Sequence, residues 1–538
     1  MSCPGSQVVN ALILLGIAAG VGGCDRLSSA FALKLTPNLP LLSQTPQTLP
    51  KAQRQKVQGI TVFSDRPSLP ISRHSVGMNL HVTQDIRRPG SIEMLRRTNA
   101  RIVRWPGGSE SNHYQWRTHR LGFNWVPHPN SDFRSFMERL VKPAQVDVAI
   151  TLNYGSNATG TDGGDPKEAA AWVAYARERG YRIAYWTVGN EVYGTWEADF
   201  NKKPHDANTY ANKVAKEFYP RIKAADPQAK VGVVVNQYDL QNPFGWTQTV
   251  LRQARYDFVE IHYYPQTPTS ASDEFLLNGA IAQFQQQVRD LQRVMGRRQV
   301  PILLGEFNNV PNTPNKQTLS IVNALYHGLI FAEGAKLGLA GVFPWETVED
   351  HCSYAPQLGR KPTGDFSSAL YGWQTFATYS MFSLGLPSGA PGSFSNNCKG
   401  VPPIPYGTAF PSAHAAHLFG AFANAQNASP QARLLQAEIN PRFRGVRAYA
   451  ASHRQGYRLL LFNLNRDAAV NVPVTLSGRA NNQTQRFRMQ QTTYGRAEYD
   501  QSRFGRWVAP TQQPLARVGS TFPVTLPPWS LSVVSLDP

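Results

Sequence analysis

The sequence predicts an α/β protein, a (β/α)8 TIM barrel followed by a C-terminal β-sandwich. Three observations predict it. Eight short apolar runs alternate with longer amphipathic stretches between residues 75 and 383, the pattern of successive βα units around a parallel sheet. No Gly-x-Gly-x-x-Gly turn follows the first run, which favours a closed barrel over a doubly wound open sheet. Beyond Pro387 the texture becomes rich in Pro, Gly, Ser and Asn and then breaks into short strands, as a sandwich requires.

The apolar runs are 75–81, 100–105, 146–153, 183–190, 231–236, 258–264, 302–307 and 339–345. Their length and β-branched content read as buried strands. The helical candidates are 91–98, 134–141, 167–179, 207–225, 246–255, 273–295, 318–336 and 368–383. In the second domain the strand candidates are 457–463, 469–476, 485–490 and 531–536. A chain of 538 residues accommodates both domains. The expected boundaries are a leader at 1–24, a flexible tether at 25–59, the barrel at 60–387 and the sandwich at 388–538.

Composition excludes several classes. With 41% hydrophobic and 17% charged residues the chain is neither collagen-like, coiled-coil nor broadly disordered. The formal charge of +19 suits a basic exported protein or one that meets a polyanion, such as a uronic-acid polymer or an anionic membrane. Nucleic acid is not expected as a partner, because no Lys/Arg-rich run with interleaved aromatics and no zinc-finger spacing occurs. Residues 8–23 are uncharged and too short and Gly-rich for a membrane span, but they suit a signal-peptide core. The run ends in Val21-Gly22-Gly23-Cys24, which resembles a bacterial lipobox. Lipidation at Cys24 would anchor the protein to the membrane of the cell envelope. Plain secretion and an uncleaved anchor are the alternatives. In an oxidising compartment Cys352 and Cys398, the two cysteines left after the leader, are expected to form a disulfide.

Reactive groups of this fold sit at the C-terminal ends of the strands. The runs close on Arg104-Trp105-Pro106-Gly107-Gly108, Asn153-Tyr154, Asn190-Glu191, His262-Tyr263-Tyr264, Glu306-Phe307-Asn308 and Trp345-Glu346. Glu191 follows run four and Glu306 ends run seven, so the two face each other across the mouth. Glycoside hydrolysis requires such a pair, one protonating the leaving oxygen while the other attacks the anomeric carbon or activates water. Burial and mutual repulsion are expected to raise the pKa of one of them, making it the acid.

The segment Tyr185-Trp186-Thr187-Val188-Gly189-Asn190-Glu191 resembles the acid/base strand of the retaining clan A glycoside hydrolases. Leu303-Leu304-Gly305-Glu306-Phe307-Asn308 resembles their nucleophile strand, and Arg104-Trp105-Pro106-Gly107-Gly108-Ser109 the substrate loop of the family 51 α-L-arabinofuranosidases. Those enzymes commonly show Asp-Glu-Trp-Asn where this chain has Gly305-Glu306-Phe307-Asn308. The resemblance implies Glu191 as general acid/base, Glu306 as nucleophile, Asn190 on the sugar hydroxyl beside the anomeric carbon and Trp345 as a sugar-stacking platform. It also makes residues 59–63 a candidate further strand of the sandwich. Arg104 can fork to a carboxylate. His262 and Tyr264, two apart on one strand, point to one side and can reach the nucleophile. Asn153 is a binding candidate whose alternative is an ordinary turn residue.

The function so implied is retaining hydrolysis of an oligo- or polysaccharide, of the arabinofuranosidase type and exo-acting. A β-glycanase or β-glycosidase of the same clan is one alternative, and a catalytically silent glycan-binding lipoprotein is another. No metal or organic cofactor is expected, because two carboxylates suffice and no HExxH or facial triad occurs.

Overall fold

Gly77 and Gly232 explain how the barrel interior packs. The structure, a computed structural model, describes residues 58–122, 126–349, 353–354, 364–373, 376–385, 404–423, 432–454, 456–478, 485–502 and 506–538. Eight parallel strands pair in chain order: Gly77–Asn79, Ile102–Trp105, Asp147–Leu152, Ile183–Val188, Val231–Val234, Phe258–Tyr263, Ile302–Phe307 and Gly341–Pro344. A parallel bridge from His74 to Gly341 joins the eighth strand back to the first. Ile102, Ala149, Tyr185, Phe258, Leu303 and Phe343 fill the interior as one buried cluster, the packed layer that such barrels need. The first and fifth strands contribute glycines to this layer, and the neighbouring rings take up their space. A Cβ on Gly77 would stand 2.4 Å from Phe343, and one on Gly232 would stand 2.2 Å from Phe258.

Strand alternation then decides what lies above that layer. Two residues further along the same strands come Asn79, Arg104, Thr187 and Glu260, all buried. The apolar floor thus gives way to a polar layer at the C-terminal mouth.

The helices between strands start at built caps. Asp165, Asp206, Ser272 and Ser320 accept backbone N–H groups at the starts of Pro166–Glu178, Ala207–Lys213, Asp273–Leu277 and Ile321–Lys336. Seven expected helical regions contain helix. The eighth does not: residues 376–385 carry only a two-residue strand, Phe376–Ala377, and irregular backbone. The eighth helix is Pro411–Ala423, beyond residue 387, where the composition changes. The apolar side chains of 376–382 are buried because the segment lies against the mouth, with Met381 and Phe382 donating to the carbonyls of Glu346 and Thr347. Backbone satisfied in this way needs no helix.

The second sheet has ten strands. From one edge they run Thr511–Gln512, Phe487–Gly495, Ser530–Asp537, Gly456–Asn463, Val446–His453, Arg433–Ile439, Ile60–Pro70, Val470–Ser477 and Thr521–Leu526, with Ala516–Val518 also on Phe487–Gly495. The N-terminal strand Ile60–Pro70 is internal to it, antiparallel to Arg433–Ile439 and parallel to Val470–Ser477. Along Gly456–Asn463, Leu459 and Leu461 join the sandwich core, whereas Leu460 and Phe462 join the core of the barrel. The run Leu459-Leu460-Leu461-Phe462 is therefore continuously apolar because both faces are covered. Its neighbour Tyr449 donates to the buried carboxylate of barrel helix residue Glu333 at 2.6 Å. Tyr449→Phe is expected to cost about 1–3 kcal/mol by leaving that oxygen without its donor, readable as a shift in urea midpoint. No helix among the described residues is long and apolar enough to cross a membrane. The leader, the tether up to residue 57, Cys24, Cys352 and Cys398 lie outside the described residues.

Candidate active site

Arg104 is the hub of the polar layer. Its Nε donates to Glu260 at 2.9 Å, Nη1 to Asn79 and Glu306 at 3.0 Å each, and Nη2 to the Asn190 side chain at 2.6 Å. Four strands thus converge on one buried guanidinium. Glu260 accepts additionally from Thr187 at 2.6 Å. Although burial opposes its charge, Arg104 and His262 hold its carboxyl down at about 2.

Glu306 keeps one oxygen on Arg104 and the other 2.8 Å from the Tyr264 hydroxyl. Burial and the charge of Glu306 push the Tyr264 phenol well above its usual value, so it remains a donor. Opposite, Glu191 stands on left-handed backbone at φ 43°, a conformation costing an L-residue roughly 1–2 kcal/mol. Asn112 secures the bend by donating to the carbonyl of Asn190 at 2.7 Å and accepting its N–H at 3.0 Å. The Glu191 carboxylate accepts from the indole of Trp196 at 3.0 Å and the hydroxyl of Tyr193 at 3.3 Å.

His262 lies between the two carboxylates. Its Nδ1 is 2.8 Å from Glu191 and 3.7 Å from Glu306, and its Nε2 is 3.2 Å from Glu260. Burial disfavours charging the ring, but three surrounding carboxylates outweigh it and raise its pKa to about 10. The same contact corrects the expectation of a raised acid. Burial pushes the Glu191 carboxyl up, yet His262, Trp196 and Arg104 together bring it below its ordinary value. In this hydrogen bond His262 is therefore the favoured proton donor and Glu191 the acceptor. Because the His262 pKa is raised, its stabilisation is complete below 6.5 and is lost as pH rises through about 10. The thermal midpoint of the parent is expected to fall across that window more steeply than that of His262→Gln.

Glu191, His262 and Glu306 offer one ligand atom each within 4.8 Å of one another. A cation there would have to displace a proton held to about 10, which favours proton chemistry over metal binding.

Trp345 is half-buried beyond the eighth strand, with one side of its ring against Gly107 and Gly108. Both glycines have positive φ, and a Cβ on Gly108 would come within 2.7 Å of the indole, which accounts for the Gly-Gly pair of the motif. Asn153 is not brought into this cluster. Its amide bonds the carbonyls of Tyr114 and Ser156 and the N–H of Ser156, the work of a turn residue.

Sequence reasoning did not single out Asn79, Asn112, Glu197 or Glu260. Glu260 had a signal, a charge inside an apolar run at the same parity as His262 and Tyr264. It also accounts for Gly305 before the nucleophile: a Cβ there would be 2.4 Å from the Glu260 carboxylate, which fills that space. Glu197 accepts from Ser109, Asn112 and Asn190, and burial together with the charge of Glu191 raises its carboxyl to about 8.

The fold is the barrel-and-sandwich architecture of the family 51 arabinofuranosidases. It is similar to the α-L-arabinofuranosidase of Thermotoga maritima in its arabinose complex, with TM-score 0.61 and 18% identity over 88% of this chain and 99% of that one. It is also similar to the family 44 xyloglucanase of Paenibacillus polymyxa, with TM-score 0.59 and 12% identity over 89% and 99% of the two chains. In sequence the chain is similar to α-L-arabinofuranosidase C of Emericella nidulans, 24% identical over 251 residues, 38% of this chain and 46% of that relative. The match thus spans less than half of that relative's length. No family model matches the chain.

Proposed function

We propose that the protein is a retaining glycoside hydrolase of the arabinofuranosidase type. The observation that carries this reading is the pair Glu191 and Glu306, at the ends of barrel strands four and seven, with carboxylate oxygens within 4.8 Å. Such closeness suits direct attack, for which carboxyl groups about 5–5.5 Å apart are usual. Glu306, aimed by Arg104 and Tyr264, attacks the anomeric carbon and the glycosidic C–O bond breaks. His262 passes its proton across the hydrogen bond to Glu191, which delivers it to the leaving oxygen and is left as a carboxylate for the second half. In the second half Glu191 takes a proton from water, whose oxygen displaces Glu306 and frees the sugar. Asn190 is held between Arg104 and Glu197 with its second amide hydrogen left for a sugar hydroxyl, and Trp345 offers its ring to the sugar.

The names of relatives support an α-L-arabinofuranosyl substrate, and two further sequence relatives named as exo-α-L-arabinofuranosidases support exo-action. The β-glycanase reading is favoured by one observation, the exposed aromatics Trp196, Phe200, Tyr238, Phe244 and Phe275 after strands four to six. Both carboxylates being in place argues against a silent binding protein. Assay of purified protein on nitrophenyl glycosides, linear arabinan, xylan and xyloglucan tests the proposal. Release from the α-L-arabinofuranoside is expected, and folded protein that cleaves none of them overturns it.

We also propose export and anchoring through a lipid on Cys24, supported by the apolar leader and the Val21-Gly22-Gly23-Cys24 motif. Intact mass of membrane-extracted protein should show a diacylated chain beginning at Cys24. A mature chain starting elsewhere with an unmodified cysteine contradicts this.

A further inference from the structure

Among the described residues five large aromatic side chains are exposed, and all five lie at one end of the barrel. Trp196 is 65% exposed, Phe200 46%, Tyr238 55%, Phe244 87% and Phe275 40%. Trp196 and Phe200 follow strand four, Tyr238 and Phe244 follow strand five, and Phe275 follows strand six. These three strands are consecutive neighbours in the barrel, so their loops form one continuous arc of the mouth. Exposing rings of this size costs free energy in water, and confinement of all five to one arc marks an interaction surface.

The arc is continuous with the reacting centre. Trp196 donates to Glu191, and the Tyr238 hydroxyl donates to the carbonyl of Tyr264, whose own hydroxyl is on Glu306. Beyond Tyr264 a groove of about 460 Å³ opens, bounded by Tyr264, Phe275 and the residues Thr267, Ser270 and Ser272. Its loop is tied down from behind. Gln266 accepts the N–H of Ser272 and donates to Gln317, which in turn donates to Asp273. The groove thus has a preset shape, a ring for one wall, hydroxyl groups along its edge and no charged side chain in its lining.

We propose that this arc is a binding strip for an uncharged polysaccharide chain, laid across the loops after strands four, five and six with its scissile bond at Glu191 and Glu306. The inference rests on the glycosidase reading and deepens it. Sugar rings stack their C–H faces on aromatics and satisfy their hydroxyls with Ser and Thr. A single terminal sugar needs only the space at the two carboxylates, whereas five aromatics on three loops suit several consecutive units. The mouth itself is not basic: the carboxylates Glu191, Glu260 and Glu306 outnumber the one arginine and one histidine among them. A uronic-acid chain would meet repulsion there, so the +19 charge of the chain does not select the substrate.

The test compares the parent with the double variant Phe244→Ala/Phe275→Ala, two exposed rings outside the catalytic contacts. Leu515→Ala, on an exposed sandwich residue, serves as control, and melting curves check that all three proteins are folded. Mobility in native gels containing linear arabinan, xylan, xyloglucan or polygalacturonate reads binding without activity. The kcat/KM on oligosaccharides of increasing length, from whichever polymer the parent cleaves, reads it through catalysis. The parent is expected to be retarded by a neutral polymer and not by polygalacturonate, and its kcat/KM should rise with chain length. The double variant should bind that polymer about tenfold or more weakly and lose most of the length dependence. A parent that no neutral polymer retards, or one equally retarded after loss of both rings, overturns the strip. A parent that cleaves nothing yet is retarded in a ring-dependent way removes the hydrolase reading and leaves the strip standing.

Discussion

Replacing Glu306 with alanine is expected to lower turnover by roughly 10⁴-fold or more, because no other group is placed to form the covalent intermediate. Tyr264 donates to Glu306 and Arg104 holds it, but neither is nucleophilic in that state. Added azide should not restore a product of retained configuration. The partner variant behaves differently. Glu191→Ala should leave the first step measurable on substrates with good leaving groups, which need little protonation, and azide should then speed turnover by replacing the activated water. Glu306→Ala with near-parental rates on every substrate would remove the nucleophile assignment while leaving the barrel intact.

The largest expected effect on stability comes from Arg104. Glu260 is fully buried and Glu306 nearly so, and both depend on this guanidinium. Arg104→Met leaves two carboxylates in a low-dielectric interior without their partner, a change expected to cost about 3–5 kcal/mol. Neutralising one of them should recover part of that loss, so Arg104→Met/Glu260→Gln is expected to be more stable than Arg104→Met alone. Equilibrium denaturation in urea measures both. A loss below about 1 kcal/mol in the single variant, the scale of an exposed pair, would show that the cluster contributes little to the fold.

The barrel was legible because each of its eight strands is a short apolar run, and the run ends carried Arg104, Asn190, Glu191, His262, Tyr264 and Glu306 in an order that a closed barrel brings together. The segment 368–383 misled because its apolar side chains are spaced as in a helix, although they serve an irregular stretch against the mouth. Pro411–Ala423, by contrast, sits in a region whose Pro and Gly content reads as loop. Glu260 could have been found from parity alone, as a charge sharing the inward face of His262. Asn112 and Glu197 could not, since nothing local shows that an asparagine will clamp the backbone 78 residues away. The lowered pKa of Glu191 depends on His262 Nδ1 at 2.8 Å, a distance that no spacing in the sequence encodes.

The mechanism is tested most directly by the configuration of the first sugar released. Proton NMR during hydrolysis of any substrate the parent cleaves, read before the anomers equilibrate, should show the anomer of the substrate, because the proposed double displacement through Glu306 inverts the anomeric carbon twice. Release of the opposite anomer as the first product would contradict a double displacement through Glu306.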